Sequence, residues 1–252
     1  MCIRDSVLGS AASVPDAEHD TVALAVRGAQ GTILIDCGGS TLHKLARLGI
    51  ARDEIRAVIL THHHADHVYG LPILVQGLWL GGRKADLPVH GPSHTLDVAR
   101  QLLAPFNLLE REEMFTLRWH SVPLRDEQKV LEMGDWRVTA SPAVHAGNDT
   151  IAVRFDVAGG GSFVYSADTE PAEAVVRLAA GADLLVHEAT GDYAGHSSPE
   201  DAAEVARDAG VERLVLIHYP AVNTDLEAWR CRAANGFPGP VVLAQDGDVY
   251  PF

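Results

Sequence analysis

Basic residues are few in this sequence relative to acidic ones. Lys and Arg number 20 against 34 Asp and Glu, giving a formal net charge of −14 over 252 residues. A surface of that sign repels nucleic-acid backbone and anionic lipid unless a local basic patch overrides it. Cysteine is scarce as well. Cys2, Cys37 and Cys231 are odd in number and unpatterned, so no disulfide framework is implied and a reducing compartment fits. No apolar run approaches the roughly 18 residues needed to cross a bilayer, and no charged-then-apolar leader opens the chain. A soluble cytoplasmic protein without a membrane partner is the expectation. Short repeats, low-complexity segments and clear linkers are missing too. What remains is 47% hydrophobic and 21% charged, ordinary for a globular chain long enough for one large domain.

One stretch carries far more chemistry than its surroundings. The apolar run Ala57-Val58-Ile59-Leu60 leads directly into Thr61-His62-His63-His64-Ala65-Asp66-His67. His62, His64, Asp66 and His67 are natural divalent-metal ligands in the pattern His-x-His-x-Asp-His. That spacing does not suit one helix face, where paired ligands stand at i and i+4. It suits a tight loop at a strand end, with His62 and His64 turned to one cation and Asp66 and His67 to a second. Two cations close together need neutral imidazoles and at least one carboxylate to offset their repulsion. A solvated histidine tract is the bland alternative, but a segment leaving a buried strand holds its side chains in place.

Patterning elsewhere predicts strands at Thr21–Arg27 and Thr32–Ile35 joined at Gly28-Ala29-Gln30-Gly31, then a helix over Thr41–Leu48. A mostly apolar helix is expected over Val68–Leu80, and another over Ser93–Leu103 with Ser93 as N-cap. Strands at Pro88–His90, Phe115–Val122, Lys129–Met133 and Trp136–Ala143 follow, then a hairpin of Ile151–Asp156 with Ser162–Ser166. The final third alternates helix Pro171–Ala180, strand Leu184–Val186, helix Pro199–Ala209, strand Leu214–Ile217, helix Asp225–Asn235 and strand Val241–Ala244. Strands first and αβ alternation afterwards, in both halves, predict two sheets packed face to face with helices outside.

Three more ligand-capable residues follow apolar strands directly: His145, Asp168 and His218. An interior strand end would not choose them for packing, although each alone could be a turn residue. With the hexad, and with the segment Tyr165-Ser166-Ala167-Asp168-Thr169, the order resembles the metallo-β-lactamase superfamily. That resemblance implies an α/β fold, a four-layer αββα sandwich, over residues 7–252 as a single domain. Residues 1–6 alternate poorly where that family opens with a strand, leaving open a non-native start or a weak edge strand. It further implies that His62, His64 and His145 hold one metal, that Asp66, His67 and His218 hold a second, and that Asp168 bridges them. Asp36, at the end of its strand, would orient ligands from beneath. Five imidazoles, two carboxylates and no thiolate suit Zn²⁺ best, with Mn²⁺ or Fe²⁺ as alternatives. A hydroxide bridging both ions, oriented by Asp66, would be the nucleophile, its pKa lowered to about 7. The superfamily's di-iron redox branch carries a carboxylate where His64 stands, which disfavours oxygen chemistry.

Two further segments narrow the subgroup. Leu184-Leu185-Val186-His187-Glu188-Ala189-Thr190 and Gly195-His196-Ser197-Ser198 resemble ribonuclease Z. Carried over, Glu188 polarises His196, which protonates the leaving oxygen. Only 22 residues separate His145 from Asp168, room for one hairpin, where the transfer-RNA enzymes carry a long basic arm. The reading is therefore a dinuclear phosphodiesterase-like hydrolase taking a small ester or phosphodiester. Ribonuclease Z proper and an inert metal-stabilised binding protein are the alternatives, nucleic acid is disfavoured, and a homodimer is left open. The other histidines (His19, His43, His63, His90, His94, His120, His187) read as surface, turn or second-layer residues, with His63 pointing away from the metals.

Overall fold

The computed structural model describes residues 4–252. Met1, Cys2 and Ile3 of the doubtful opening lie outside the described residues. Two seven-stranded sheets are formed. The first has the order β14-β1-β2-β3-β4-β5-β6, the second β13-β12-β11-β10-β9-β8-β7. The strands are β1 (Arg4–Gly9), β2 (Ala23–Gly28), β3 (Gly31–Ile35), β4 (Ile55–Ile59), β5 (Leu87–Gly91), β6 (Leu117–Ser121), β7 (Gln128–Met133), β8 (Trp136–Pro142), β9 (Ile151–Val157), β10 (Ser162–Tyr165), β11 (Leu184–Glu188), β12 (Leu214–Ile217), β13 (Val241–Leu243) and β14 (Val249–Pro251). The α-helices are α1 (Thr41–Arg47), α2 (Ala65–Val68), α3 (Leu71–Leu80), α4 (Ser93–Leu103), α5 (Glu173–Ala179), α6 (Pro199–Ala209) and α7 (Leu226–Ala234).

Period-two alternation divides the apolar residues among three cores. In β12, Val215 and Ile217 face the layer between the sheets, while Leu214 and Leu216 face α5, α6 and α7. In β4, Ala57 and Ile59 point inward and Val58 packs under α1, α3 and α4, while a register shift before Ala57 turns Ile55 to that same outer core. Each sheet thus buries both faces, which gives the four layers αββα. β3–β4–β5–β6 and β10–β11–β12–β13 run parallel, so their carboxyl ends gather along one edge. Ligand sites in open α/β sheets form at such edges.

The structure departs from the sequence expectations at four places. β1 is no edge strand; it lies between β14 and β2, and β14 itself carried no pattern strong enough to predict. Asp5 in β1 pairs with Val26 and Tyr250, is fully buried, and has no hydrogen-bond partner on either carboxylate oxygen. The apolar helix after the hexad is broken at Tyr69-Gly70 into α2 and α3. A Cβ on Gly70 would lie 2.7 Å from the carbonyl oxygens of Cys37 and Gly39, so the chain passes too close to that loop for a side chain. Ser93 is not a cap: Pro92 is the N-cap residue of α4, and Ser93 Oγ bonds Ser121 Oγ at 2.6 Å instead.

Candidate metal centre

Every sequence-predicted site residue lies at that edge. Asp36 follows β3, the hexad follows β4, His145 follows β8, Asp168 follows β10, Glu188 ends β11 and His218 follows β12. The hexad is only half a loop. Asp66 and His67 sit in the single helical turn α2, which swings them away from His62 and His64. Left-handed backbone is concentrated here. Asp36 and His218 have φ of 59° and 51°, and Ala146 and Ala167, beside His145 and Asp168, have 46° and 53°. Such conformations cost a non-glycine residue on the order of 1 kcal/mol each and persist where function requires them.

Two donor clusters result. In the first, His64 Nδ1 lies 3.1 Å from His62 Nε2 and 3.0 Å from His145 Nε2. In the second, His218 Nε2 lies 3.3 Å from His67 Nε2 and 3.2 Å from Asp66 Oδ2. Asp168 stands between them. Its Oδ2 is 3.8 Å from both His62 and His145 Nε2 and 3.5 Å from His218 Nε2, and its Oδ1 is 3.4 Å from His67 Nε2.

The far ring nitrogens decide what these clusters can hold. His145 Nδ1 donates to Gly195 O at 2.6 Å, and His67 Nδ1 to Asp36 Oδ2 at 2.8 Å. His218 Nδ1 donates to Thr190 Oγ1 at 2.8 Å, whose own proton goes to His218 O. His62 Nδ1 faces Thr61 Oγ1 at 3.1 Å, which in turn donates to Asp36 Oδ2. In His62, His67, His145 and His218 these partners hold the proton on Nδ1 and leave Nε2 unprotonated and turned inward, so that His67 and His218 present Nε2 to Nε2 at 3.3 Å. Lone pair facing lone pair is repulsive unless a cation lies between.

Electrostatics agree. Burial alone would depress His67, yet the Asp168 and Asp36 carboxylates raise it well above the ordinary imidazole range. The site therefore draws positive charge. Burial would likewise raise Asp168, but His218 and His67 hold it well below the usual carboxylate range. Asp168 Oδ1 is buried without a hydrogen-bond partner, as an acceptor awaiting a cation would be. The residues fit two divalent metal ions.

Beside the clusters, the His196 ring stacks on His218 with centroids 5.9 Å apart. Its Nδ1 donates to Glu188 Oε1 at 3.0 Å, and Nε2 makes no hydrogen bond among the described residues. Burial pulls the His196 pKa down, but the bond to Glu188 and its charge raise it overall. The loop is pinned by Ser197 Oγ on Thr169 O and by the capping box of Ser198 with Asp201 at the start of α6. An open cleft of about 430 Å³ lined by Ser13, His64, Asp66 and Tyr69 gives access. A larger cavity of about 620 Å³, lined among others by Asp16, Lys44 and Asp246, contains none of the ligand residues.

Sequence reading missed Ser13, whose Oγ donates to Asp66 Oδ2 at 2.6 Å across 53 positions of sequence. It also assigned no role to Thr61 and Thr190, though both stand inside quoted motifs and a hydroxyl beside a ligand histidine is a usable signal. The His63 ring packs against His94 at 4.6 Å between centroids. Of the histidines read as surface, turn or second-layer residues, His19, His90 and His187 are buried.

Residues 31–219 match the β-lactamase superfamily domain. The chain belongs to the metallo-β-lactamase superfamily. Within the superfamily it is similar to enzymes named ribonuclease Z. It is 33% identical to that of a Mycobacterium species (strain KMS), covering 97% of this chain and 94% of the relative. Identity to the Methanothermobacter thermautotrophicus protein is 30%, over 88% and 90%. The two alignments span 274 and 283 positions, more than the 252-residue chain, so both relatives carry segments with no counterpart here. Among solved folds, human tRNase Z, short form, superposes with a TM-score of 0.81 at 22% identity over 98% of both chains. The metallo-β-lactamase fold protein YhfI from Bacillus subtilis gives 0.79 at 24% over the whole of both chains. A diphosphatase of the PhnP family gives 0.76 at 19%, over 99% of this chain and 98% of the other. These superfamily neighbours share the fold, and the predicted four-layer α/β sandwich is the one observed.

Proposed function

We propose that this protein is a dinuclear metal-dependent phosphodiesterase acting on a small-molecule ester. The observation that carries the reading is His196, held by Glu188 beside both donor clusters with Nε2 free of partners among the described residues. A metal serving only to stabilise the fold has no use for such a group. His62, His64 and His145 would hold one ion, Asp66, His67 and His218 the other, with Asp168 shared, and Zn²⁺ suits this donor set best. When bound, two such ions supply Lewis-acid activation of water and charge neutralisation at phosphorus.

The remaining steps belong to the chain. Asp36 and Thr190 fix ring orientation and proton position on His67 and His218. Asp66 would orient the attacking water by accepting a hydrogen bond; the water oxygen bonds to phosphorus as the ester P–O bond breaks, and the proton the water sheds leaves to solvent. Glu188 stabilises the His196 imidazolium, and Nε2 passes its proton to the departing oxygen. Among the described residues Cys37 and Cys231 form no disulfide, which fits the reducing compartment expected from the sequence. Among the described residues, no helix is long and apolar enough to cross a membrane.

Ribonuclease Z activity is the second reading, favoured by the names of the curated relatives. Against it stand the net charge of −14 and the simple β9–β10 hairpin between His145 and Asp168. Protein loaded with zinc or manganese should hydrolyse bis(4-nitrophenyl) phosphate far faster than it cleaves a precursor transfer RNA. Efficient 3′ cleavage of that RNA at physiological salt would establish the second reading instead. Full metal occupancy with no turnover of any ester would leave the inert binding protein.

A further inference from the structure

The loops that build the site have an unusual composition. Residues 10–22, 61–70, 143–150, 166–172, 189–198 and 218–225 supply Ser13, all the ligands and His196, and contain not one Lys or Arg. They do contain seven carboxylates besides Asp66 and Asp168, of which Asp16, Glu18 and Asp20 line the other cavity. Two basic side chains on neighbouring helices are already engaged: Lys44 pairs with Asp20 and Asp246 in the other cavity, and Arg232 pairs with Glu200 and lies over Trp229. Once the ligand carboxylates have offset part of the metal charge, nothing in these loops attracts a second or third anionic group. Polyanions are recognised through Lys and Arg contacts to each phosphate, and these loops supply none.

Apolar side chains take that place. Among the described residues, eleven large apolar side chains are exposed, and five of them stand in these same loops. Val14 adjoins Ser13, Tyr69 follows His67 by two residues, Val144 adjoins His145, Tyr193 precedes His196 by three, and Val222 follows His218 by four. Their exposures run from 42% to 67%, so they are free to meet a ligand rather than filling the core. Tyr69 lines the cleft beside His64 and Asp66. Exposed apolar residues gathered at one place mark a binding surface, whereas scattered ones need no explanation.

Resting on the phosphodiesterase reading, we propose that the substrate is a phosphodiester of single negative charge whose organic groups are apolar, aryl or alkyl. Phosphomonoester dianions and polynucleotides should be poorer substrates, because these loops supply no Lys or Arg to meet a second anionic group. The Val14, Tyr69 and Val144 side chains, with Tyr193 and Val222, form the collar that receives the organic groups.

The test uses zinc-loaded protein and substrates with one leaving group, 4-nitrophenolate. These are bis(4-nitrophenyl) phosphate, the 4-nitrophenyl ester of thymidine 5′-phosphate, methyl 4-nitrophenyl phosphate and the dianion 4-nitrophenyl phosphate. kcat/KM should be at least about tenfold higher for the bis-aryl diester than for the thymidine ester. The dianion should fall about a hundredfold below the bis-aryl diester. KM for the bis-aryl diester should hold steady from low to high KCl, because apolar contact is not screened. The exposed double substitution Tyr69→Ser with Tyr193→Ser should raise that KM about tenfold and cost the methyl ester at least threefold less. Calorimetric binding of unreactive diphenyl phosphate should weaken in parallel. A thymidine ester turned over as well as the bis-aryl diester, with KM climbing steeply in salt, overturns this inference and leaves the phosphodiesterase reading standing. Failure to hydrolyse any diester, with both ions bound, overturns the phosphodiesterase reading itself.

Discussion

Glu188 Oε1 accepts the Nδ1 proton of His196 at 3.0 Å and, with the same oxygen, the backbone N–H groups of Thr169 and Ser197. Its other oxygen accepts the N–H of Thr190 at 2.8 Å. One buried carboxylate therefore holds the proposed proton donor together with the backbone beside Asp168 and the hydroxyl residue that orients His218.

This geometry changes what a conservative substitution does. Glu188→Gln replaces one acceptor oxygen by an amide nitrogen, which can accept from none of those N–H groups. Each lost bond to a charged acceptor is worth about 1.5–3 kcal/mol. The variant should unfold several degrees below wild type by calorimetry and lose activity with it. An unchanged Tm accompanied by lost activity would show that Glu188 acts on His196 alone.

His196 offers a cleaner separation. Its ring is only partly buried and makes one side-chain hydrogen bond, to Glu188. His196→Ala should leave metal content and Tm close to wild type while lowering kcat by roughly 10²–10⁴-fold on a diester with an alkoxide leaving group. A nitrophenolate, already a weak base, hardly needs the proton, so the nitrophenyl analogue should be spared. Equal losses on the two substrates would refute proton donation.

Asp5 predicts a pH dependence unrelated to catalysis. Burial, only slightly offset by the nearby Ser6 backbone, raises its pKa to about 8. A folded-state pKa above the unfolded value contributes stability that is complete below about pH 4 and is lost as pH rises through about 8. At about 1.36 kcal/mol per pH unit, the loss is on the order of 5 kcal/mol. Asp5→Val should therefore raise Tm clearly at pH 8, with the gap over wild type shrinking toward pH 4. A gap independent of pH would mean that the carboxylate is not buried alone.

The parts of the fold legible in the sequence are those where one physical preference dominated. α6 runs over Pro199–Ala209 as expected, because Ser198, Pro199 and Asp201 fix its start and Gly210, left-handed at φ 64°, fixes its end. β12 was equally plain, four apolar residues ending at a histidine. The ligand residues were legible because they interrupt such runs where packing has no use for them. The break at Tyr69-Gly70 was hidden, since it arises from contact with the Cys37–Gly39 loop, remote in sequence. β14, three residues long, carries too few positions for alternation to register. The bond from Ser13 to Asp66 left no trace either, because a serine in a polar loop has no periodicity to betray it.

The central claim is that seven side chains form one centre for two cations, with Asp168 common to both halves. Apo protein titrated calorimetrically with Zn²⁺, and checked by elemental analysis after desalting, tests this most directly. The account predicts two ions per chain for wild type and weakened binding of both in Asp168→Ala, whose Oδ1 and Oδ2 face the two clusters. A single ion per chain, or loss of only one ion on removing Asp168, would contradict it.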